Sequence, residues 1–265
     1  MSTFDALLLG FLQGLTEFLP ISSSGHLALA ESLLGLGGDD LAFVVFVHFG
    51  TLLATVTAFW PDVWRMLASG GRFVVGRGIQ GDPHLRLLSL ILVGSVPAVT
   101  VGLLFEEEVG KIFSSPTLVS AMLVVTGLIL WLTRYVRAGE RAMGIWAAIL
   151  VGCAQAVAIL PGISRSGATI SAALAQKMNR EKAVEFSFLL ALPVILAATA
   201  LKAVDLWKEH PRSATLISLF LGTLAAYISG YVAIKILLRV VRKGKLSYFA
   251  FYCWAVGLLG LALSA

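Results

Sequence analysis

Two short stretches of the chain carry most of the residues that could do chemistry. The first reads Gln13-Gly-Leu-Thr-Glu17-Phe-Leu-Pro20-Ile-Ser22-Ser23-Ser24-Gly25-His26, and the second Pro161-Gly-Ile-Ser164-Arg165-Ser166-Gly167-Ala-Thr169. Glu17 lies one helical turn after Gln13, so both side chains leave one face and can offer oxygen atoms to a divalent cation. His26 falls in the first turn of the helix expected after its loop, where an imidazole can serve as a general base or a nucleophile toward phosphorus. Arg165 is the only Arg or Lys in the two stretches. Its guanidinium fork suits two-point contact with a phosphate, and a salt bridge to Glu17 is the structural alternative. Both stretches lead straight into a short helix, whose first turn presents unpaired N–H groups and the positive end of a dipole. Ser22, Ser24 and Gly25 in one loop, and Ser164, Ser166, Gly167 and Thr169 in the other, would line such an anion site. Two of these helix ends converging would hold a phosphate.

The elements that must position these residues belong to a membrane. Of 265 residues, 58% are hydrophobic and 13% charged, with a mean hydropathy of +0.91. A soluble domain of that composition lacks the polar residues to cover its surface. Apolar runs at 41–60, 87–105, 117–133, 186–201, 213–234 and 246–265 have about the length needed to cross ~30 Å of hydrocarbon. The run at 186–201 carries Pro193, a break a bundle tolerates. Those at 4–18, 26–35 and 168–177 are too short or too polar to cross alone and read as re-entrant. A constant offset of 142 superposes Gly10 on Gly152, Gln13 on Gln155, Ile21-Ser22 on Ile163-Ser164 and Ser24-Gly25 on Ser166-Gly167. Each half then makes three crossings, an odd number, so the second half sits inverted relative to the first.

The expected fold is therefore an all-α polytopic membrane protein with an inverted-topology repeat. Each half is a re-entrant helix-loop-helix plus three transmembrane helices, giving about ten helices and six full spans in one membrane domain. Repeat 1 covers about 1–137 and repeat 2 about 142–265. The segments 61–86, 134–141, 177–182 and 238–245 together hold fourteen Lys or Arg, and the segments on the opposite side hold four. By the positive-inside rule both termini face outward, the loop carrying Glu17 enters from outside, and the loop carrying Arg165 enters from the cytoplasm. The net charge of +5 is accounted for by these short interfacial clusters, so membrane lipids and no nucleic acid are the expected partners.

The remaining features take structural roles. Met1 to Gly10 carries only Asp5 as a charge, so the first apolar run is expected to stay in the mature protein rather than leave as a signal peptide. Cys153 and Cys253 sit alone in apolar segments as buried small hydrophobes. His48 interrupts an apolar span and reads as a buried, hydrogen-bonded histidine. Glu106-Glu107-Glu108 reads as a solvated loop, Glu185 as a partner of Lys182 or Arg165, and Trp60, Trp64 and Trp131 as interfacial anchors. Gly222 and Gly230 can serve packing in the bundle or a homodimer contact.

The motifs resemble those of the undecaprenyl-diphosphate phosphatases, the bacitracin-resistance proteins, integral membrane type. Gln13-xxx-Glu17 fits that family's (E/Q)xxxE motif, Gln13 standing where some members carry Glu. Pro20-Ile-Ser-Ser-Ser-Gly-His26 continues it, Pro161-Gly-Ile-Ser-Arg-Ser-Gly-Ala-Thr-Ile170 fits the second motif, and Glu185-Phe-Ser-Phe-Leu-Leu-Ala-Leu-Pro193 is similar to the span that follows. The resemblance implies hydrolysis of undecaprenyl (C55 isoprenyl) diphosphate to the monophosphate and inorganic phosphate, recycling the lipid carrier of cell-wall synthesis in the bacterial plasma membrane. It also implies a divalent cation, Mg2+ or Ca2+, handled by Glu17 with Gln13, attack or activation of water by Ser23 or His26, and a clamp on the diphosphate by Arg165. The rival expectation is a lipid-phosphate or anion transporter using the same midplane site, since many carriers share the inverted-repeat plan.

Overall fold

The structure is a computed structural model describing residues 2–27, 41–77, 81–105, 108, 112, 115–209 and 213–264. Helix α1 (Thr3–Phe18) opens with a capping box, Ser2 Oγ accepting from the Asp5 amide at 3.2 Å while the Asp5 carboxylate takes the Ser2 amide at 3.0 Å. It ends just ahead of Pro20, as the restricted backbone before proline requires. A turn then leads into residues 23–27, the first turn of a helix. There follow α2 (Leu41–Ala58), α3 (Trp60–Val74), α4 (Pro83–Leu104), α5 (Pro116–Leu132), α6 (Ile145–Val157), α7 (Arg165–Ala175), α8 (Arg180–Glu209), α9 (Ser213–Arg242) and α10 (Phe249–Ser264). Helix starts are marked by side-chain caps from Asp82, Ser115 and Ser164 and by prolines at the first positions of α3, α4 and α5.

The described residues are helical with no strand, as expected for a polytopic all-α membrane protein. Five segments are long and apolar enough to cross a bilayer: Pro83–Leu104, Pro116–Tyr135, Arg180–Ala200, Leu216–Arg242 and Leu246–Ser264. The expected first span at 41–60 forms, with the helix that follows it, a bent pair that makes a sixth candidate crossing if the two are one broken span. Helix α2 ends at Ala58, and α3 turns away from it by 87°, so part of the basic segment 61–86 is a helix. Pro61 cannot donate to the preceding turn, which ends α2 there. Helix α3 buries Val63, Met66 and Ser69 and exposes Trp60, Trp64, Arg65, Leu67 and Arg72, the pattern of a helix lying along a membrane surface. The stretch 28–40 and residues Glu106 and Glu107 fall outside the described residues.

The 142-residue offset recurs in the packing. A Cβ placed on Gly10 of α1 would stand 2.1 Å from the Gly222 carbonyl oxygen of α9, and one on Gly152 of α6 would stand 2.1 Å from that of Gly94 in α4. Helix α1 thus packs on α9 as α6 packs on α4, backbone against backbone, an approach only small residues permit. Helix α10 lies along α5, and α8 along α2. A Cβ on Gly222 would stand 2.5 Å from the Phe43 ring and one on Gly230 2.8 Å from the Phe18 ring, so both glycines face close neighbours inside the bundle. Phe18, Phe59 and Phe188 form an edge-to-face aromatic cluster, with ring centroids 5.3 and 6.0 Å apart, directly beneath the loop that follows α1. Cys253 is buried as expected, but Cys153 is exposed.

Candidate active site

Each polar loop is built by the same local hydrogen bonds. Ser22 Oγ accepts from the Gly25 amide at 3.4 Å, and Ser164 Oγ from the Gly167 amide at 3.1 Å, so each serine caps the helix it precedes. The Ser22 and Ser24 hydroxyls are 3.2 Å apart, as are those of Ser164 and Ser166. Each loop is tied to the transmembrane bundle two residues before its cap. The Gly162 carbonyl accepts from Thr126 Oγ1 at 2.8 Å, and the Pro20 carbonyl accepts from the Cys253 thiol at 3.6 Å. Gly162, at φ +90°, is irreplaceable, because a Cβ there would lie 2.2 Å from the Val119 carbonyl oxygen. Ser22 sits at φ +69°, a conformation that costs a residue with a side chain of the order of 1 kcal/mol and that clusters at functional sites.

The two loops meet. Ser166 Oγ reaches the Leu19 carbonyl at 3.4 Å, and a Cβ on Gly25 would touch the Gly162 Cα at 3.5 Å. At their junction Arg165 Nη2 donates to Glu17 Oε1. Glu17 Oε2 accepts from Ser23 Oγ at 2.5 Å and from Gln13 Nε2 at 3.1 Å. Both ionic side chains are shielded, with 7% of the Glu17 side chain and 16% of the Arg165 side chain exposed. Arg165 Nη1 is buried with no hydrogen-bond partner among the described residues, leaving one arm of the fork for a ligand.

A cavity of about 140 Å³ opens at this junction, lined by Glu17, Ser22, Ser23, Ser24, Ser164 and Arg165, together with Thr16 and His48. Water occupies roughly 30 Å³ per molecule, so the space suits one phosphate group. Larger hollows of about 910 and 450 Å³ flank the start of α4. Neither holds any of the residues expected to react, so size alone does not locate the chemistry.

Six of the expected site residues therefore converge on one cavity, and the others stand behind it. Gln13 backs Glu17. Thr169 Oγ1 lies 2.5 Å from Ser187 Oγ and donates to the Arg165 carbonyl at 2.8 Å, bracing the helix that carries Arg165. His26 is turned away: Nδ1 is 2.8 Å from the Ser22 carbonyl, Nε2 is 2.8 Å from Tyr252 Oη, and the ring stacks on Tyr252 at 5.6 Å. A carbonyl only accepts, so Nδ1 carries the proton and Nε2 accepts from the tyrosine, and both nitrogens are engaged. Glu185 pairs with Lys182 at 2.7 Å. His48, read from sequence as structural, places Nε2 3.8 Å from Glu17 Oε2. A single titratable group in an otherwise apolar span was the signal that marked it.

Glu17 and Gln13 are the oxygen donors that could hold a divalent cation here. The two oxygens of a carboxylate offer about four lone pairs, and Arg165, Gln13 and Ser23 occupy three on Glu17. Gln13 Oε1 is buried without a partner among the described residues. No three His, Cys, Asp or Glu side chains gather among the described residues, so the protein would supply a few oxygen donors and leave the rest to substrate and water, the usual manner of holding Mg2+.

Fold and site together define a multi-pass membrane protein with a small polar pocket in which an arginine, a carboxylate and serines from two loops meet. The chain belongs to the bacitracin resistance protein BacA family, whose model matches residues 6–259. It is 47% identical to the undecaprenyl-diphosphatase of Salinibacter ruber over 99% of this chain and 100% of that one. It is 42% identical to the undecaprenyl-diphosphatase of Halothermothrix orenii over 100% and 99%, and 41% identical to that of Methanobrevibacter smithii over 98% and 96%.

Proposed function

We infer that this chain hydrolyses undecaprenyl diphosphate to undecaprenyl phosphate and inorganic phosphate, recycling the lipid carrier of cell-wall synthesis and conferring bacitracin resistance. The observation that carries this reading is the meeting of the two loops. One contributes Ser23 hydrogen-bonded to Glu17, the other Arg165 with a free guanidinium arm, around a cavity of phosphate size. The name shared by the relatives favours hydrolysis over transport.

In the proposed mechanism Arg165 Nη1 and the capped first turns at Ser22 and Ser164 bind the terminal phosphate through its oxygens. Ser23 Oγ attacks the phosphorus as Glu17 Oε2 takes its proton, a transfer for which the 2.5 Å contact is already in place. The bond from phosphorus to the bridging oxygen breaks, and its electron pair leaves with the lipid monophosphate. Water then attacks the phosphoserine, releasing inorganic phosphate and restoring the Ser23 hydroxyl. Attack by water positioned on Glu17, with Ser23 only contacting the phosphate, uses the same residues. A divalent cation, Mg2+ or Ca2+, held by Glu17 and Gln13 would neutralise charge on the diphosphate when bound. His26 acts from behind, holding the Ser22 carbonyl and so the strained loop.

The proposed placement is the bacterial plasma membrane with both termini outside, in two halves at about 1–137 and 142–265. The reading is tested by phosphate release from a polyprenyl diphosphate by detergent-purified protein. Release should require a divalent cation, be lost on chelation and fall sharply in Glu17→Ala and Arg165→Ala. No release by the wild type would remove it.

A further inference from the structure

The cavity contains one histidine, and it is not the one in the sequence motif. His48 stands in α2, in the apolar run Leu41–Ala58, with 28% of its side chain exposed. Its Nδ1 lies 2.7 Å from the Val44 carbonyl one turn earlier. A carbonyl only accepts, so in the neutral ring the proton sits on Nδ1 and Nε2 presents a bare lone pair. That nitrogen is 3.8 Å from Glu17 Oε2, beyond hydrogen-bond distance, and the ring lines the cavity with Glu17 and Ser23.

An imidazole whose far N–H is fixed on a backbone carbonyl, with the other nitrogen aimed beside a carboxylate, has the orientation of a metal ligand. We propose that His48 Nε2 is a ligand of the divalent cation of this site, beside Glu17. The inference rests on the cation requirement of the phosphatase reading and adds a donor that neither loop motif contains. His26 is excluded from that role because Ser22 and Tyr252 take both of its nitrogens. Gln13 Oε1, wholly buried and without a partner among the described residues, is the nearby oxygen donor still free. With an imidazole among oxygen donors the site accepts Mn2+ or Co2+ readily.

The test uses full-length, detergent-solubilised protein stripped with chelator and loaded with Mn2+ in the presence of methylenediphosphonate, which supplies diphosphate oxygens and is not cleaved. Protein labelled with 15N-histidine is examined by pulsed electron paramagnetic resonance. The expected result is coupling of Mn2+ to one histidine nitrogen, lost in His48→Gln and kept in His26→Gln, with Mn2+ affinity of His48→Gln lower by at least about 10-fold. Bound Mn2+ without histidine coupling in the wild type overturns the assignment whatever the variant does, as does coupling that survives His48→Gln. Phosphate release with Mg2+ is measured on the same preparation. Release without histidine coupling leaves the phosphatase reading and removes His48 as ligand, whereas coupling without release does the reverse.

Discussion

Removing Arg165 should separate the two jobs its guanidinium does. One arm pairs with Glu17, in a place where only 7% of the carboxylate side chain meets solvent. Arg165→Ala leaves Glu17 with a serine hydroxyl and an amide as its hydrogen-bond donors, and breaking a buried pair in this way costs about 3–5 kcal/mol. At about 2–4 °C per kcal/mol for a chain of this size, the thermal midpoint should fall by roughly 6–20 °C. The other arm, buried and free, is the phosphate clamp. One charge-assisted hydrogen bond contributes about 1.5–3 kcal/mol, so kcat/KM should fall a further ~10- to 150-fold at about 1.36 kcal/mol per decade. Pairing Arg165→Met with Glu17→Gln removes both charges and should recover most of the stability with none of the activity. The assays are thermal unfolding and phosphate release in the same detergent. A single variant as stable as the double, or an Arg165→Ala enzyme within threefold of wild-type kcat/KM, would refute the reasoning.

Three further outcomes follow from particular contacts. Glu17→Gln keeps the volume but loses the proton acceptor of Ser23 and should slow release by about 10²–10⁴-fold; acid-quenched reactions with substrate labelled at the terminal phosphate should place label on wild-type Ser23, and its absence would select attack by water. Gly10→Ala and Gly152→Ala should each destabilise by about 1–3 kcal/mol or more, since both new methyl groups meet a carbonyl oxygen at 2.1 Å, whereas Gly144→Ala, which meets nothing within 4 Å, should change the midpoint little. Asp82 caps α4, and its hydrogen bond with Ser69 foremost, then the His84 and Leu85 amides and Arg72, holds its carboxyl below the usual range. That stabilisation is present above the ordinary carboxylate value and lost as pH falls through the lowered one, so Asp82→Asn should flatten the acid limb of a stability–pH curve.

The loops were legible, and the doubled pattern visible, because their signals are local. Spaced serines and glycines before a helix start, and a doubled pattern at constant offset, need no tertiary knowledge. The Glu17–Arg165 pair is the structural alternative the sequence offered, resting on the cost of an unpaired guanidinium in a membrane. The 87° turn at Phe59 was hidden because Trp60-Pro61 and the basic residues after it match an interfacial loop as well as an interfacial helix. The different surroundings of His26 and His48 were hidden for a different reason. Position in a motif says which residues are near the site, whereas the engagement of a ring depends on Tyr252 and Val44, more than two hundred residues away in one case and inside the same helix in the other.

The two halves share a frame and divide the chemistry between them. At the 142-residue offset Glu17 corresponds to Ile159, Ser23 to Arg165 and His26 to Ala168, so the carboxylate and Ser23 belong to one loop and the guanidinium to the other. Gln13 and Gln155 are the informative pair, since the same residue survives in both. Gln13 has Glu17 as a partner at 3.1 Å, whereas the position one turn beyond Gln155 is isoleucine, and neither atom of the Gln155 amide has a partner among the described residues although the side chain is buried. An unsatisfied buried amide costs about 1–3 kcal/mol. Gln155→Met, close in volume, should therefore raise the thermal midpoint and leave phosphate release within a few-fold of wild type. Gln13→Met should lower release sharply, because it frees Glu17 on one side and removes the second oxygen donor proposed for the cation. Equal loss of activity in the two variants would mean that the second glutamine also works in the reaction, and that the division of labour between the loops is drawn in the wrong place.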